Sequence, residues 1–159
     1  MKPDILEKMF KEHYNGALLY ALSLCRDRHL AEELVSIAFY KALQSADDSI
    51  SSFRAWLFAV LRNEYTSHLR KSRRHTELEE HTESDEEPVL DKIIKDEEYR
   101  ALYRALSLLP ESQREIIMLF YFEELSLREI SQIIKKSELT TKTALCRARI
   151  ALREILEEG

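Results

Sequence analysis

Two glycines and three prolines in 159 residues leave little material for tight turns. No stretch of useful length alternates apolar and polar residues with a period of two, so doubly wound and sandwich folds drop out. What remains is helical periodicity, and the chain is predicted to be all-α. Its length suits one ordinary domain or two small ones, each with a modest core.

Several kinds of chemistry are excluded early. Cys25 and Cys146 lie far apart and lack CxxC or Cys/His spacing, so neither a disulfide framework nor a zinc site is expected. The histidines at 13, 29, 68, 75 and 81 form no HExxH-like set, and no nucleophile or phosphate-loop motif occurs. The reading is therefore a non-enzyme with no cofactor and no metal. The longest apolar-rich run, residues 17–25, is too short to span a bilayer. The N-terminal MKPDILEKMF lacks the basic flank and cleavage site of a signal peptide. A cytoplasmic protein with no membrane insertion is expected.

A first helix is expected from an N-cap at Asp4 to a break at Arg26-Asp27, and a second from about Arg28 to Gln44. In the second, Ala31, Leu34, Val35, Ala38, Phe39, Ala42 and Leu43 form a core stripe, with Asp27, Glu32, Glu33 and Lys41 on the other side. Residues 51–74, SSFRAWLFAVLRNEYTSHLRKSRR, then combine an aromatic stripe with a basic end. Phe53, Trp56, Leu57, Val60, Leu61 and Leu69 recur at helical spacing. Arg54, Arg62, Arg70, Lys71, Arg73 and Arg74 are left for another surface, and Ser51 or Ser52 can cap the start. A core helix with a solvated basic tail and a nucleic-acid-binding helix both fit this stretch.

Net charge is −5, but it is segregated. Residues 77–98 hold eleven acids against Lys92 and Lys95, whereas residues 128–153 hold seven cations against Glu129 and Glu138. Between residues 75 and 88 apolar side chains nearly vanish, so burial cannot offset the entropy of ordering. This stretch reads as a flexible acidic linker between two small helical domains. Its charge could also lie against the basic ends and weaken DNA binding by the free chain.

Beyond the linker, Tyr99, Leu102, Tyr103, Leu106 and Leu109 form one stripe ending at Pro110, and residues 111–122 form the next. Ser126-Leu127-Arg128-Glu129 is a capping box that opens a helix bearing Ile130, Ile133 and Ile134. After Lys135-Lys136-Ser137, a last helix turns Thr141, Leu145, Ala148, Leu152, Ile155 and Leu156 inward. Ser137, Thr140, Lys142, Thr143, Ala144 and Arg147 are left outward. Two short helices, a tight turn and a cationic second helix fit a helix-turn-helix entering a major groove. An ordinary bundle with a basic exterior is the plainer alternative.

Taken together, DRHLAEELVSIAFYKAL, SFRAWLFAVLRNEYTSHLRKSRR, LPESQREIIMLFYFEELSLREISQII and KSELTTKTALCRARIAL, in this order across an acidic linker, resemble the extracytoplasmic-function (ECF) sigma factors. These are small two-domain members of the sigma-70 family. The resemblance implies region 2 in residues 1–75, a linker in 76–89 and region 4 in 90–159. It implies a dissociable subunit that binds core RNA polymerase and directs initiation through minus-ten and minus-thirty-five promoter elements.

The resemblance also implies site roles. Asp27, Glu32, Glu33, Leu34 and Val35 would dock on core polymerase. Phe53 and Asn63 would serve the pocket for a flipped minus-ten base, which needs stacking surface and a hydrogen-bonding edge. Arg62, Arg70, Lys71, Arg73 and Arg74 would hold the opening strands, and Trp56 would stay in the core. Ser137, Thr140, Lys142, Thr143 and Arg147 would contact the minus-thirty-five element. An anti-sigma factor, usually membrane-linked, is a further implied partner beside core polymerase and promoter DNA.

Departures from the family pattern are Lys135 where the turn commonly has glycine, Ala144 at a frequently basic position, and Cys146, read as a packed thiol, where histidine is common. A stand-alone helix-turn-helix regulator and a helical adaptor are the competing readings. The regulator leaves residues 51–74 and the linker without a purpose.

Overall fold

The computed structural model describes residues 3–45, 52–75 and 93–158, without the side chains of residues 45, 74 and 75. The residues predicted to form the linker, 76–89, lie outside this set. The chain divides into two compact units, Met1–Glu86 and Glu87–Gly159, and among the described residues every regular element is a helix.

In the first unit, α1 (Pro3–Cys25), α2 (Arg28–Ser45) and α3 (Phe53–His75) pack pairwise against one another. Helix α1 starts at Pro3, where a missing N–H costs nothing because first-turn donors have no intrahelical partner. Asp4, predicted as the cap, therefore stands inside the first turn. The helix stops at Arg26, whose φ of 56° is left-handed, and the Arg26 N–H closes on the Leu22 carbonyl at 2.8 Å. Asp27 then caps α2, its Oδ1 accepting from the N–H groups of His29 at 3.0 Å and Leu30 at 3.3 Å. This is the predicted break at Arg26-Asp27.

The core of this unit lies around the second half of α1, where every residue of 17–25 is buried. Ala17, Ala21, Ala31, Val35, Ala38 and Ala42 are wholly buried, and such small side chains let the three helix backbones approach closely. Tyr20 and Phe58 meet edge to face with ring centres 5.2 Å apart. Lys41 of α2 pairs with Glu64 of α3 across the surface.

The second unit holds α4 (Glu97–Leu106), α5 (Glu111–Ile117), a π-helical turn (Met118–Phe122), α6 (Leu127–Ile134) and α7 (Glu138–Glu158). Asp96 caps α4 through the N–H groups of Glu98 and Tyr99. The predicted second stripe at 111–122 is continuous but changes winding at Met118: the Glu123 N–H bonds the Met118 carbonyl at 3.0 Å, and Glu124 has φ 55°. Helix α7 packs against α4, α5 and α6, around Leu106, Ile116, Ile117, Met118, Leu119 and Ile130, all at most 2% exposed. Truncating such a side chain typically costs about 2–5 kcal/mol.

Candidate nucleic-acid interface

Helix α3 supplies the first candidate surface. Ser52 accepts from the Ala55 N–H at 3.3 Å and from the Trp56 N–H through its carbonyl at 3.2 Å, so the helix starts where a hydroxyl can cap it. Phe53, Leu57, Phe58 and Leu61 anchor its first half in the core. Past Leu61 the character changes: Asn63, Thr66, Arg70, Lys71 and Arg73 are all exposed. Asn63 and Arg70 stand seven residues apart, about two turns, and so share one side of the helix. The Arg74 side chain lies outside the described residues. Arg62 is half-buried, and its carbonyl accepts the Thr66 hydroxyl at 2.8 Å.

Phe53 is only 8% exposed. Its ring sits 5.6 Å from His13, 6.2 Å from Phe39 and 5.8 Å from Trp56. In this conformation it packs the start of α3 and offers no open stacking face, whereas Trp56, expected in the core, is half-buried. Beneath them, burial first and then the Arg54 charge hold the His13 imidazole below its ordinary pKa of 6.5, with Glu12 opposing. Phe58, absent from the predicted stripe, is 1% exposed.

The α2 residues divide sharply. Leu34 and Val35, predicted to meet a partner, are 3% and 0% exposed and belong to the core. Glu33 is exposed, Glu32 is half-buried and bonded to Arg28 at 3.1 Å, and Asp27 is occupied in capping. Only the acidic members of that set present atoms to solvent.

Helices α6 and α7 supply the second surface. Ser126 accepts from the Glu129 N–H at 3.1 Å, and Glu129 accepts from the Ser126 N–H at 3.0 Å, completing the predicted capping box. Lys135 ends α6 at φ 60°, ψ 47°, the left-handed conformation that glycine adopts more easily. The Lys136 N–H bonds the Ser131 carbonyl at 3.0 Å. Ser137 then caps α7: its Oγ accepts from the Thr140 N–H at 3.1 Å and donates to Thr140 Oγ1 at 2.8 Å. Two helices thus meet through three residues, with the second exposing its N-terminal half.

Of the predicted contacts on α7, Ser137, Thr140, Lys142, Thr143 and Arg147 are all exposed, while Thr141, Leu145 and Ala148 face inward. Cys146, read as a packed thiol, is exposed instead. Sequence reading also passed over Arg149, which donates from Nε to the Tyr121 hydroxyl at 2.6 Å. Its guanidinium carbon lies 5.3 Å and 5.4 Å from the Phe120 and Tyr121 ring centres. Leu156, predicted inward, is 52% exposed. Among the described residues no group of histidine, cysteine and acidic side chains could hold a metal ion, and no helix is long and apolar enough to cross a membrane.

Residues 9–75 match the protein-family model for Sigma-70 region 2, and residues 99–152 match that for Sigma-70 region 4. The ECF RNA polymerase sigma factor SigM of Bacillus subtilis is 29% identical over 163 residues, covering 97% of this chain and 96% of its own. The ECF RNA polymerase sigma factor EcfG of Rhodopseudomonas palustris is 32% identical over 142 residues, covering 86% and 77%. Among solved structures, the sigma factor RpoE of Bartonella quintana, in complex with the anti-sigma factor NepR, matches with a TM-score of 0.67 at 27% identity, covering 95% of this chain and 98% of that one. A three-helix unit with a basic projecting helix, a helix-turn-helix unit after it, and relatives alike along nearly the whole length lead to one assignment: the chain belongs to the sigma-70 family, in the ECF class of RNA polymerase sigma factors.

Proposed function

We infer that this sigma factor, which directs promoter-specific initiation by core RNA polymerase, divides the promoter between its two units. The exposed half of α3 takes the minus-ten element and the exposed half of α7 takes the minus-thirty-five element. The observation that carries this reading is the form of α3. One helix buries Phe53, Leu57, Phe58 and Leu61 in the core and then projects Asn63, Arg70, Lys71 and Arg73 into solvent.

In this reading Asn63 supplies the hydrogen-bonding edge for an unpaired base, and Arg62, Arg70, Lys71, Arg73 and Arg74 hold the strand backbone. Phe53 positions the helix from beneath. On α7, Lys142 and Arg147 contact phosphates, and Thr140 and Thr143 reach the groove. Ser137 sets the helix start; with its hydrogen donated to Thr140 Oγ1, it keeps one acceptor lone pair for water or a base amino group. Asp27, Glu32 and Glu33 form an acidic edge for core polymerase, and Leu34 and Val35 shape it from inside.

The linker of residues 76–89 joins region 2 in residues 1–75 to region 4 in 90–159. Work with polymerase places the protein in the cytoplasm. Nucleotidyl transfer belongs to polymerase, and strand opening is driven by capture of unpaired bases. An anti-sigma factor is the expected inhibitor, by analogy with the relative solved with NepR.

Run-off transcription with purified core polymerase on a pool of promoter fragments tests the proposal. Promoter-dependent transcripts that vanish on Asn63→Ala or on joint substitution of Arg70, Lys71 and Arg73 are expected. Failure of core polymerase to bind the protein or gain specific initiation, with DNA binding retained by the chain alone, would replace it with a stand-alone regulator.

A further inference from the structure

The outward face of α7 is not the cationic surface that DNA binding alone would call for. Leu139 is 76% exposed and Ile150 57%, and Thr143 and Cys146 between them are exposed too. Spacings of four, three and four residues align these positions in one stripe, opposite the buried Thr141, Leu145 and Ala148. A solvated helix normally turns charges outward here. The cations stand on the flanks instead: Lys142 and Arg153 on one side, beside Glu138 and with Arg149 held against Tyr121, and Arg147 on the other, all exposed. The face ends where Glu154, Glu157 and Glu158 begin.

A methyl-bearing crest between two cationic margins is complementary to a groove with polyanionic walls and apolar points on its floor. The B-DNA major groove has that form, because each thymine projects a 5-methyl group there between phosphate backbones. From Leu139 to Cys146 the crest runs about 10.5 Å along the axis, the length of about three base-pair steps at about 3.4 Å each. Ile150 lies one turn further on. A second copy of the chain would oppose its own cations to these, a like-charge contact that disfavours self-association.

We propose that Leu139, Thr143 and Cys146 read thymine 5-methyl groups in the minus-thirty-five element, so that sequence choice on α7 rests on apolar contact while the flanking cations supply affinity. The proposal rests on the assignment of α7 to that element. It gives Cys146 a role as a small apolar surface and enlists Leu139, which polar-residue reasoning passes over.

The test uses holoenzyme assembled from core polymerase and the full chain. A duplex pool randomised across the minus-thirty-five element is selected for binding, and the enriched promoter is remade with deoxyuridine replacing thymidine one position at a time. This removes a methyl group and leaves base pairing intact. At one or more positions affinity is expected to fall about threefold to fourfold, the equivalent of one buried methyl-sized group. Leu139→Ala or Thr143→Ser holoenzyme is expected to bind the thymidine and deoxyuridine duplexes alike at the matching position. Leu139 is too exposed for its truncation to disturb the core. An enriched promoter indifferent to deoxyuridine at every position overturns the proposal alone. A pool from which no minus-thirty-five sequence is enriched overturns the parent assignment of α7 and this proposal with it.

Discussion

Arg149 donates from Nε to the Tyr121 hydroxyl at 2.6 Å across 28 residues of sequence, tying the π-helical turn to α7. The two aromatic rings beside the guanidinium restrict how that side chain can swing. Both residues are exposed, so water competes for the bond and its net worth is modest. Tyr121→Phe keeps the ring and deletes the hydroxyl, and it is expected to destabilise the second unit by about 1 kcal/mol or less. Faster amide hydrogen exchange along α5 and α7, with exchange in α1–α3 unchanged, is the measurement that checks it.

Lys135 sits at φ 60° between α6 and α7. A side chain with a Cβ is strained there, and glycine is not, although glycine also has more freedom to lose on folding. Lys135→Gly is therefore expected to stabilise the second unit by about 0.5–1 kcal/mol, and Lys135→Val to destabilise it. Urea midpoints of the three proteins should rank in that order.

The pH response of the first unit is expected to carry the signature of His13. Burial and Arg54 favour the neutral imidazole in the folded state, so its pKa there lies below the ordinary 6.5. The unfolded chain then binds the proton first as pH falls. Stability is lost on acidification below about pH 6.5 and the loss levels off once the folded form is protonated too. Thermal midpoints from about pH 8 to 5, compared between the native chain and His13→Gln, isolate this contribution. Parallel curves would show that the imidazole contributes no pH dependence.

Salt dependence separates the roles of exposed residues on α3. If Arg70 and Arg73 each neutralise a phosphate, Arg70→Gln and Arg73→Gln should each lower the slope of log affinity against log salt by about 0.7 on single strands or about 0.9 on duplex. Asn63→Ala should leave the slope unchanged while relaxing base preference in the minus-ten element. Titrations of holoenzyme on forked promoter DNA at several salt concentrations distinguish the two outcomes.

Much of the framework was legible because local chemistry dictates it. The Arg26-Asp27 break and the Ser126–Glu129 capping box both depend on a few neighbouring residues, whereas Lys135 stood out only as a departure from the family's common glycine. Burial was harder to read. Helix α3 is covered by both α1 and α2, so its buried arc is wider than one stripe and takes in Phe58 as well as Phe53. Leu34 and Val35 have the composition of either a core or a contact surface, and the three-helix packing puts them in the core. Cys146 is exposed at its position on α7, which its residue type does not reveal. The change to π-helical winding at Met118 leaves no mark in composition, because MLFYF suits any helix.

The change of environment along α3 also bears on how such a protein can diverge. Positions 53–61 are constrained by neighbours in α1 and α2, and a substitution there carries the cost of a cavity or a clash. The exposed positions 63, 66, 70, 71 and 73 stand clear of the core, so most changes there leave folding nearly untouched. On the proposed reading, promoter preference can then drift in the exposed half while packing holds the anchored half fixed. If α3 reads the minus-ten element as proposed, a single helix separates the residues under selection for stability from those under selection for sequence choice.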